Sequence, residues 1–429
     1  MRPSEAKDHP VAGRPPGPCP APARLAPEGT DPRVVDADVP AAVGRVLQSV
    51  LAERTERATA MDPDFGRDLA ERLARFTLDG GKRIRSQFTW WAMRACGGNA
   101  AETDAALHVG AALELIQSCA LIHDDVMDGS RLRRGRLSLH ADVTAQYADA
   151  VPGTAGSRFG EAAAILAGDL ALAWADDLVA DVEAPRPRAR AVRDLWSRMR
   201  TEMVAGQYLD LQGQALSSRS LTRAIRAACL KSALYSVERP LALGAALAGA
   251  DAARSQALCS AGRCVGIAFQ LRDDLSDVFG DPRHTGKPVG GDIRAGKPTY
   301  LVAVAQARAE AAGDRRGLAV LRRSLGRADL PESRLTEVLD VLVATGARDI
   351  VEAKISRLAG HAMRHLESAQ LEPEGHLPLR DLLLATAGSC ASPPPPPGHP
   401  NAEDGLPVSL LLTAAVEGAT RRAPEEAAR

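Results

Sequence analysis

The chain is poor in aromatic rings, with 4 Trp, 4 Tyr and 6 Phe among 429 residues. Its core must therefore be packed from Ala and Leu faces, which let helices approach closely. Neither charge dominates, since 53 Lys and Arg against 54 Asp and Glu leave a net charge of −1. That excludes a generic nucleic-acid coat and a polybasic membrane anchor, both of which need one sign in excess. No uncharged apolar run approaches the ~18–20 residues of a transmembrane helix. The opening stretch, MRPSEAKDHPVAGRPPGPCP, has no apolar leader segment. Cysteine is scarce and unpatterned: Cys19, Cys96, Cys119, Cys229, Cys259, Cys264 and Cys390 form an odd set without CxxC spacing. They read as reduced thiols, not as a disulfide frame or a zinc site. A soluble, cytoplasmic protein with no nucleic-acid partner and no membrane span is expected.

Proline divides the chain. Of 29 prolines, 10 lie in residues 1–40 and 8 in residues 389–429. The first stretch is too proline-rich for helix or sheet and too poor in large apolar residues to offset ordering entropy. A disordered extension over residues 1–40 is expected. Five consecutive prolines at 393–397 make a stiff spacer, and residues 389–429 read as linker and tail with one apolar patch, Leu406–Val416. Between them, residues 41–388 form one domain rich in good helix formers. Apolar residues recur at three and four, as in Leu107, Ala111, Leu115 and Cys119, and in Leu166, Leu170 and Trp174. The pattern predicts an all-α bundle of helices without a sheet.

Two acidic clusters stand out. In Leu121-Ile122-His123-Asp124-Asp125-Val126-Met127-Asp128, Asp124 and Asp128 share a helix face with Asp125 beside them. Carboxylates crowded at the end of an apolar helix repel one another unless a cation binds there. Oxygen donors without His or Cys suit Mg²⁺. The same arrangement returns 149 residues later, where Asp273 and Asp277 share a face with Asp274 between them. One such cluster is commonly a solvated helix end; two of them facing across a bundle make a socket for a metal-chelated polyphosphate.

Cationic segments interleave with the clusters. Arg131, Arg133 and Arg134 follow the first, while Lys287 and Lys297 lie in the glycine-rich stretch after the second. Upstream, Gly80-Gly81-Lys82-Arg83-Ile84-Arg85 sets three cations beside a flexible turn. Arginine forks and lysines in this company suit phosphate oxygens.

With these motifs the sequence resembles the trans-isoprenyl diphosphate synthases, the polyprenyl synthetase family. GGKRIR, ELIQSCALIHDDVMDGSRLRRG, ILAGD, MVAGQYLDL, KSALYSVERPLALGAALAG and GIAFQLRDDLSDVFGDPRHTGKPVGGDIRAGKPT match in order and spacing over about residues 45–388. The resemblance implies the isoprenoid synthase bundle with a deep apolar cavity, and a homodimer. It implies that Asp124, Asp128 and Asp273 bind Mg²⁺, three ions per active site, with Asp125, Asp274 and Asp277 in support. Arg133, Lys231, Lys287 and Lys297 would grip an allylic diphosphate. Lys82, Arg85, Gln117 and Arg134 would hold isopentenyl diphosphate, Gln117 standing where many members carry His. Gln207, Ser232 and Gln270 match polar positions along the cavity. Ser232 is Thr in many relatives, and Ser86 follows Arg85 where Pro is common. His108 reads as a helix-face residue.

In this family product length is limited by side chains just upstream of the first cluster. Here these are Cys119 and Ala120, both small, which favours geranylgeranyl diphosphate or a longer chain over farnesyl diphosphate unless Trp90, Trp91, Trp174 or Tyr208 closes the cavity. A class I terpene cyclase would carry a different second metal motif ending in Glu, absent after Asp273, and has no need of GGKRIR. A non-catalytic modulating subunit would have lost aspartates or cations that this chain keeps. The Pro-rich tails are expected to dock a protein partner, such as an encapsulin-type shell that would enclose the enzyme.

Overall fold

The computed structural model describes residues 31–151, 153–216, 221–281 and 289–388. The helices that position the site are α1 Val39–Met61, α2 Ile84–Ala95, α3 Ala100–Met127, α4 Thr154–Ala180, α5 Arg186–Ala215, α6 Arg239–Ala248, α7 Ala252–Phe279, α8 Tyr300–Ala311, α9 Ala347–Glu367 and α10 Pro373–Ala387. The sheet among the described residues is one hairpin, β1 Leu132–Arg133 paired antiparallel with β2 Arg136–Leu137. The expected all-α bundle is what forms; residues 1–30 and 389–429 and Lys287 lie outside the described residues.

The centre of the bundle is α3. It starts in a capping box, in which Asn99 and Glu102 each satisfy the other's end of the first turn. Leu113, Leu115, Ile116 and Ile122 on it are fully buried, against α1, α2, α4 and α6. By length and composition alone this helix could cross a bilayer, but its apolar stretch carries Glu114 and most of it is covered by neighbouring helices, as in a core helix.

The chain between α5 and α6, Cys229–Glu238, winds with the wide turn of a π-helix. Its cause lies at Pro240 in the first turn of α6. Proline has no N–H for the carbonyl four residues earlier, and its ring crowds that carbonyl. Widening the upstream turns relieves the conflict, and such stretches gather at functional sites. Glycines bring two helices hard against this π-helix. A Cβ at Gly206 of α5 would lie 2.2 Å from the Lys231 amide nitrogen, and one at Gly266 of α7 would lie 2.4 Å from the Ala233 carbonyl oxygen. At the far end Arg239 grips Glu202 at 2.6 and 2.7 Å, while Arg263 grips buried Glu238 at 2.7 and 2.9 Å. These two-point pairs tie α5, α6 and α7 together and offset the cost of burying their charge.

Three expectations are corrected. The extension to residue 40 is not wholly unstructured, since Pro32–Ala37 and Val39–Met61 are helices. Pro32 and Pro40 sit in the first turns, where a missing N–H is no loss, and Asp31 and Asp38 cap the two helices. The hairpin β1–β2 was not anticipated. Leu166 falls on an expected core stripe but is exposed, because among the described residues no helix covers the outer face of α4.

Gly→Ala in a helix normally stabilises by ~1 kcal/mol. Here the backbone of the π-helix blocks the added methyl, so Gly206→Ala and Gly266→Ala should each destabilise by ~1–3 kcal/mol instead. Thermal melts of the two variants check the sign.

Candidate active site

Both acidic clusters occupy helix C-termini. Asp128 is the C-cap of α3, and Asp273, Asp274 and Asp277 fall in the last two turns of α7. A helix C-terminus carries partial negative charge. Two such ends loaded with carboxylates open into one cavity of about 540 Å³, lined by Asp124, Asp273, Asp274 and Asp277. Placing them together is favourable only with cations between them.

The cations are there. Lys231 on the π-helix reaches Asp124 at 3.0 Å and Asp210 of α5 at 2.9 Å. Gln207, one turn before Asp210, donates to Asp124 at 3.2 Å. Burial opposes ionisation of Asp124, but Lys231, Lys297 and Arg133 outweigh it and hold the carboxyl below its usual range. The burial that would neutralise Lys231 is likewise outweighed by Asp124 and Asp210, so its ammonium is held more tightly than usual. Asp125 turns away from the cavity, is buried, and takes two bonds from Arg133 Nε at 2.9 and 3.2 Å. Burial raises its pKa in spite of that arginine. The hairpin supplies the arginine: Arg134 and Gly135 both adopt positive φ, the backbone of a tight two-residue turn, which folds β1 back over α3.

The second cluster is organised by the loop after α7. Asp277 accepts from the Asp292 amide at 2.9 Å. Lys297 lies 3.6 Å from Asp292 and 3.6 Å from Asp128, so one lysine bridges the loop and the first cluster. Asp274 is buried and takes a bond from Gln270 at 2.9 Å. Burial, then Asp292, then Asp273 and Asp277 push its pKa up to about 8. Such a carboxyl stays protonated near neutrality until positive charge arrives.

A third group lies beyond Asp124, and of it Arg85, Gln117 and Ser236 line the cavity. Arg85 lies 4.4 Å over the ring of Tyr235 and donates to Ser236 at 2.8 Å. Tyr235, itself buried, donates to Gln117 at 2.7 Å. Glu114 lies beneath, accepting from Ser86 at 2.8 Å, with its pKa raised by burial. Arg134 donates to the Asp79 carbonyl at 3.1 Å, and Lys82 is exposed. Arg83 is spent on structure, bonding the Pro40 carbonyl at 2.9 Å.

Thus Asp124, Asp273, Asp274, Asp277, Arg85, Gln117, Arg133, Lys231, Ser232, Gln270 and Lys297 all line the cavity. Asp128 and Gln207 join them through Lys297 and Asp124. Cys119 does not line it; its sulfur lies 3.8 Å from His123 Nδ1 on the face of α3 toward α4, while Gln117 and Leu121 present the cavity face. Ala120 is half-buried and does not line the cavity either. Trp90, Trp91 and Trp174 are core residues and Tyr208 is 61% exposed, and none lines the cavity. His108 bonds the Asp104 carbonyl on its own helix, as expected. Asp210, Asp292, Tyr235, Ser236 and Glu114 were not singled out from sequence. Asp210 carried a signal, three residues from Gln207 on one helix face; Asp292 sat within a recognised glycine-rich run.

Comparison with known proteins agrees with this geometry. The polyprenyl synthetase family model matches residues 67–340. A farnesyl diphosphate synthase of Geobacillus stearothermophilus is 34% identical over 276 residues, 62% of this chain and 84% of that protein. A geranylfarnesyl diphosphate synthase of Aeropyrum pernix is 31% identical over 64% of this chain and 79% of its own. Among solved structures, a geranylgeranyl pyrophosphate synthase of Corynebacterium glutamicum, complexed with isoprenyl diphosphate and magnesium, superposes with a TM-score of 0.75. It is 36% identical, covering 80% of this chain and 98% of that one. The helical bundle, its paired acidic helix ends and these matches establish that the chain belongs to the polyprenyl synthetase family and is a trans-isoprenyl diphosphate synthase, a trans-prenyltransferase.

Proposed function

We propose that this enzyme condenses isopentenyl diphosphate with an allylic diphosphate (dimethylallyl, geranyl or farnesyl) to give geranylgeranyl diphosphate. The observation that carries this reading is the pair of acidic helix ends sharing one cavity, with Lys231 and Lys297 between them.

The family is Mg²⁺-dependent, and the donor set here fits that ion: carboxylate oxygens with no imidazole or thiol among them. Buried Asp274, with its pKa pushed up to about 8, is a carboxyl that gains from a cation's arrival. Among the described residues no three such donors already converge on one point. Asp124, Asp128 and Asp273 would hold the ions, three per site, supported by Asp125, Asp274 and Asp277. Bound Mg²⁺ would neutralise the diphosphate and stabilise its departure.

The chain's own groups do the rest. Lys231, Lys297 and Arg133, with Lys287, which lies outside the described residues, hold the allylic diphosphate as its C–O bond breaks and both electrons leave with it. The allylic carbocation forms in this cavity, with Gln207, Ser232 and Gln270 as polar groups along it; shielding from water there would protect it from hydrolysis. Lys82, Arg85, Arg134 and Gln117 hold isopentenyl diphosphate so that its double bond attacks the cationic carbon. The released diphosphate accepts the proton then lost from the new chain. No protein nucleophile is required.

The geranylgeranyl product is supported by the likeness to a geranylgeranyl pyrophosphate synthase, and not by the small residues Cys119 and Ala120, neither of which lines the cavity. A homodimer is typical of the family, and the exposed apolar face of α4 with Phe159, Ile165 and Leu166 is where a second copy would dock. We place the enzyme in the cytoplasm.

Incubation with Mg²⁺, isopentenyl diphosphate and each allylic diphosphate, with products sized by mass, tests the reading directly. All-trans prenyl diphosphates ending at the geranylgeranyl chain are expected; a hydrocarbon product would overturn it. Asp124→Ala and Asp273→Ala should each lower kcat by roughly 100- to 1000-fold, with helical content unchanged by circular dichroism.

A further inference from the structure

Tyr235 is buried and does not line the cavity, yet it touches two residues that do. Its hydroxyl donates to Gln117 Oε1 on α3 at 2.7 Å, and its ring carries the Arg85 guanidinium of α2 at 4.4 Å. Its neighbour Ser236 accepts from Arg85 Nη2 at 2.8 Å. One turn of the π-helix thus fixes two groups from two other helices.

We propose that Tyr235 is a positioning residue for the homoallylic substrate: it sets the orientation of Gln117 and Arg85 toward the diphosphate of isopentenyl diphosphate. This rests on the assignment of Gln117 and Arg85 to that substrate. An amide has an acceptor end and a donor end that are nearly equal in shape, and only its bonding decides which faces where. With the phenol donating to Oε1, the Nε2 donor end of Gln117 is the one left for an anion. The reverse orientation would present a carbonyl oxygen to a diphosphate oxygen, which is repulsive. Arg85 is set in the same way. The ring attracts the cation's face, Ser236 takes one Nη, and buried Nε has no protein partner, so its N–H donor is not consumed by the fold.

The π-helix accounts for the arrangement. Lys231, which holds Asp124, and Ser236, which holds Arg85, are five residues apart, the spacing that a π-turn stacks. Along a single element, the groups for the allylic diphosphate and those for the second substrate follow one another at a set separation. That separation is what an attacking double bond and a departing diphosphate require.

Tyr235→Phe keeps the ring and removes only the hydroxyl. It should raise KM for isopentenyl diphosphate about 3- to 10-fold, the value of one hydrogen bond, and leave KM for the allylic diphosphate and the melting temperature unchanged. Tyr235→Leu, which also removes the ring from Arg85, should raise that KM further. In a Gln117→Ala background, Tyr235→Phe should have no additional effect, because the hydroxyl acts through the amide. Equal changes in both KM values, or an undiminished effect in the Gln117→Ala background, would overturn the proposal. If Gln117→Ala and Arg85→Ala both leave KM for isopentenyl diphosphate unchanged, the substrate assignment itself fails, and the role of Tyr235 fails with it.

Discussion

Two helix C-termini carrying carboxylates point into the same cavity, and everything around them answers that concentration of negative charge. The partial charge of each helix end adds to its aspartates, so the arrangement needs positive charge to exist at all. Lys231 and Lys297 supply it within the protein, from the π-helix and from the loop after α7. Metal and diphosphate would bring a second, exchangeable balance of charge to the same place. Asp124 and Asp274 mark the two ends of the range: lysines hold one below the usual carboxylate range, while burial and neighbouring aspartates push the other up.

The frame that keeps these groups in register is made of close contacts. Gly206 and Gly266 let α5 and α7 meet the π-helix backbone on two sides. Gln207 and Asp210 follow Gly206 within about one turn, and Asp273 follows Gly266 by about two, so each close contact lies near the groups it has to place. The π-helix, forced open ahead of Pro240, then brings Lys231 to one substrate's groups and Tyr235 and Ser236 to the other's. Packing, local backbone and chemistry are a single construction here.

Much of this was legible in the sequence, for a physical reason. Asp124 with Asp128, and Asp273 with Asp277, are four residues apart on helices, and a local spacing is read without knowing the fold. Lys231, Lys297 and Arg133 were found through motif order. What escaped depends on contacts between distant segments: Asp210 matters because Lys231 reaches it, and Tyr235 because Gln117 and Arg85 meet it from two other helices. Pro32 and Pro40 misled because a proline in a helix's first turn looks, in sequence, like one that forbids a helix. The face of α3 that meets the cavity was only partly foreseen: Gln117 lines it, but Cys119 turns toward α4.

The central claim is that the two acidic helix ends act as one binding site for a metal-chelated diphosphate. Calorimetric titration with inorganic diphosphate tests it without any turnover. Binding should occur with Mg²⁺ and vanish in chelator, and Asp124→Asn and Asp273→Asn should each abolish it although they lie on different helices. Equal binding without Mg²⁺, or full binding in either variant, would contradict the account.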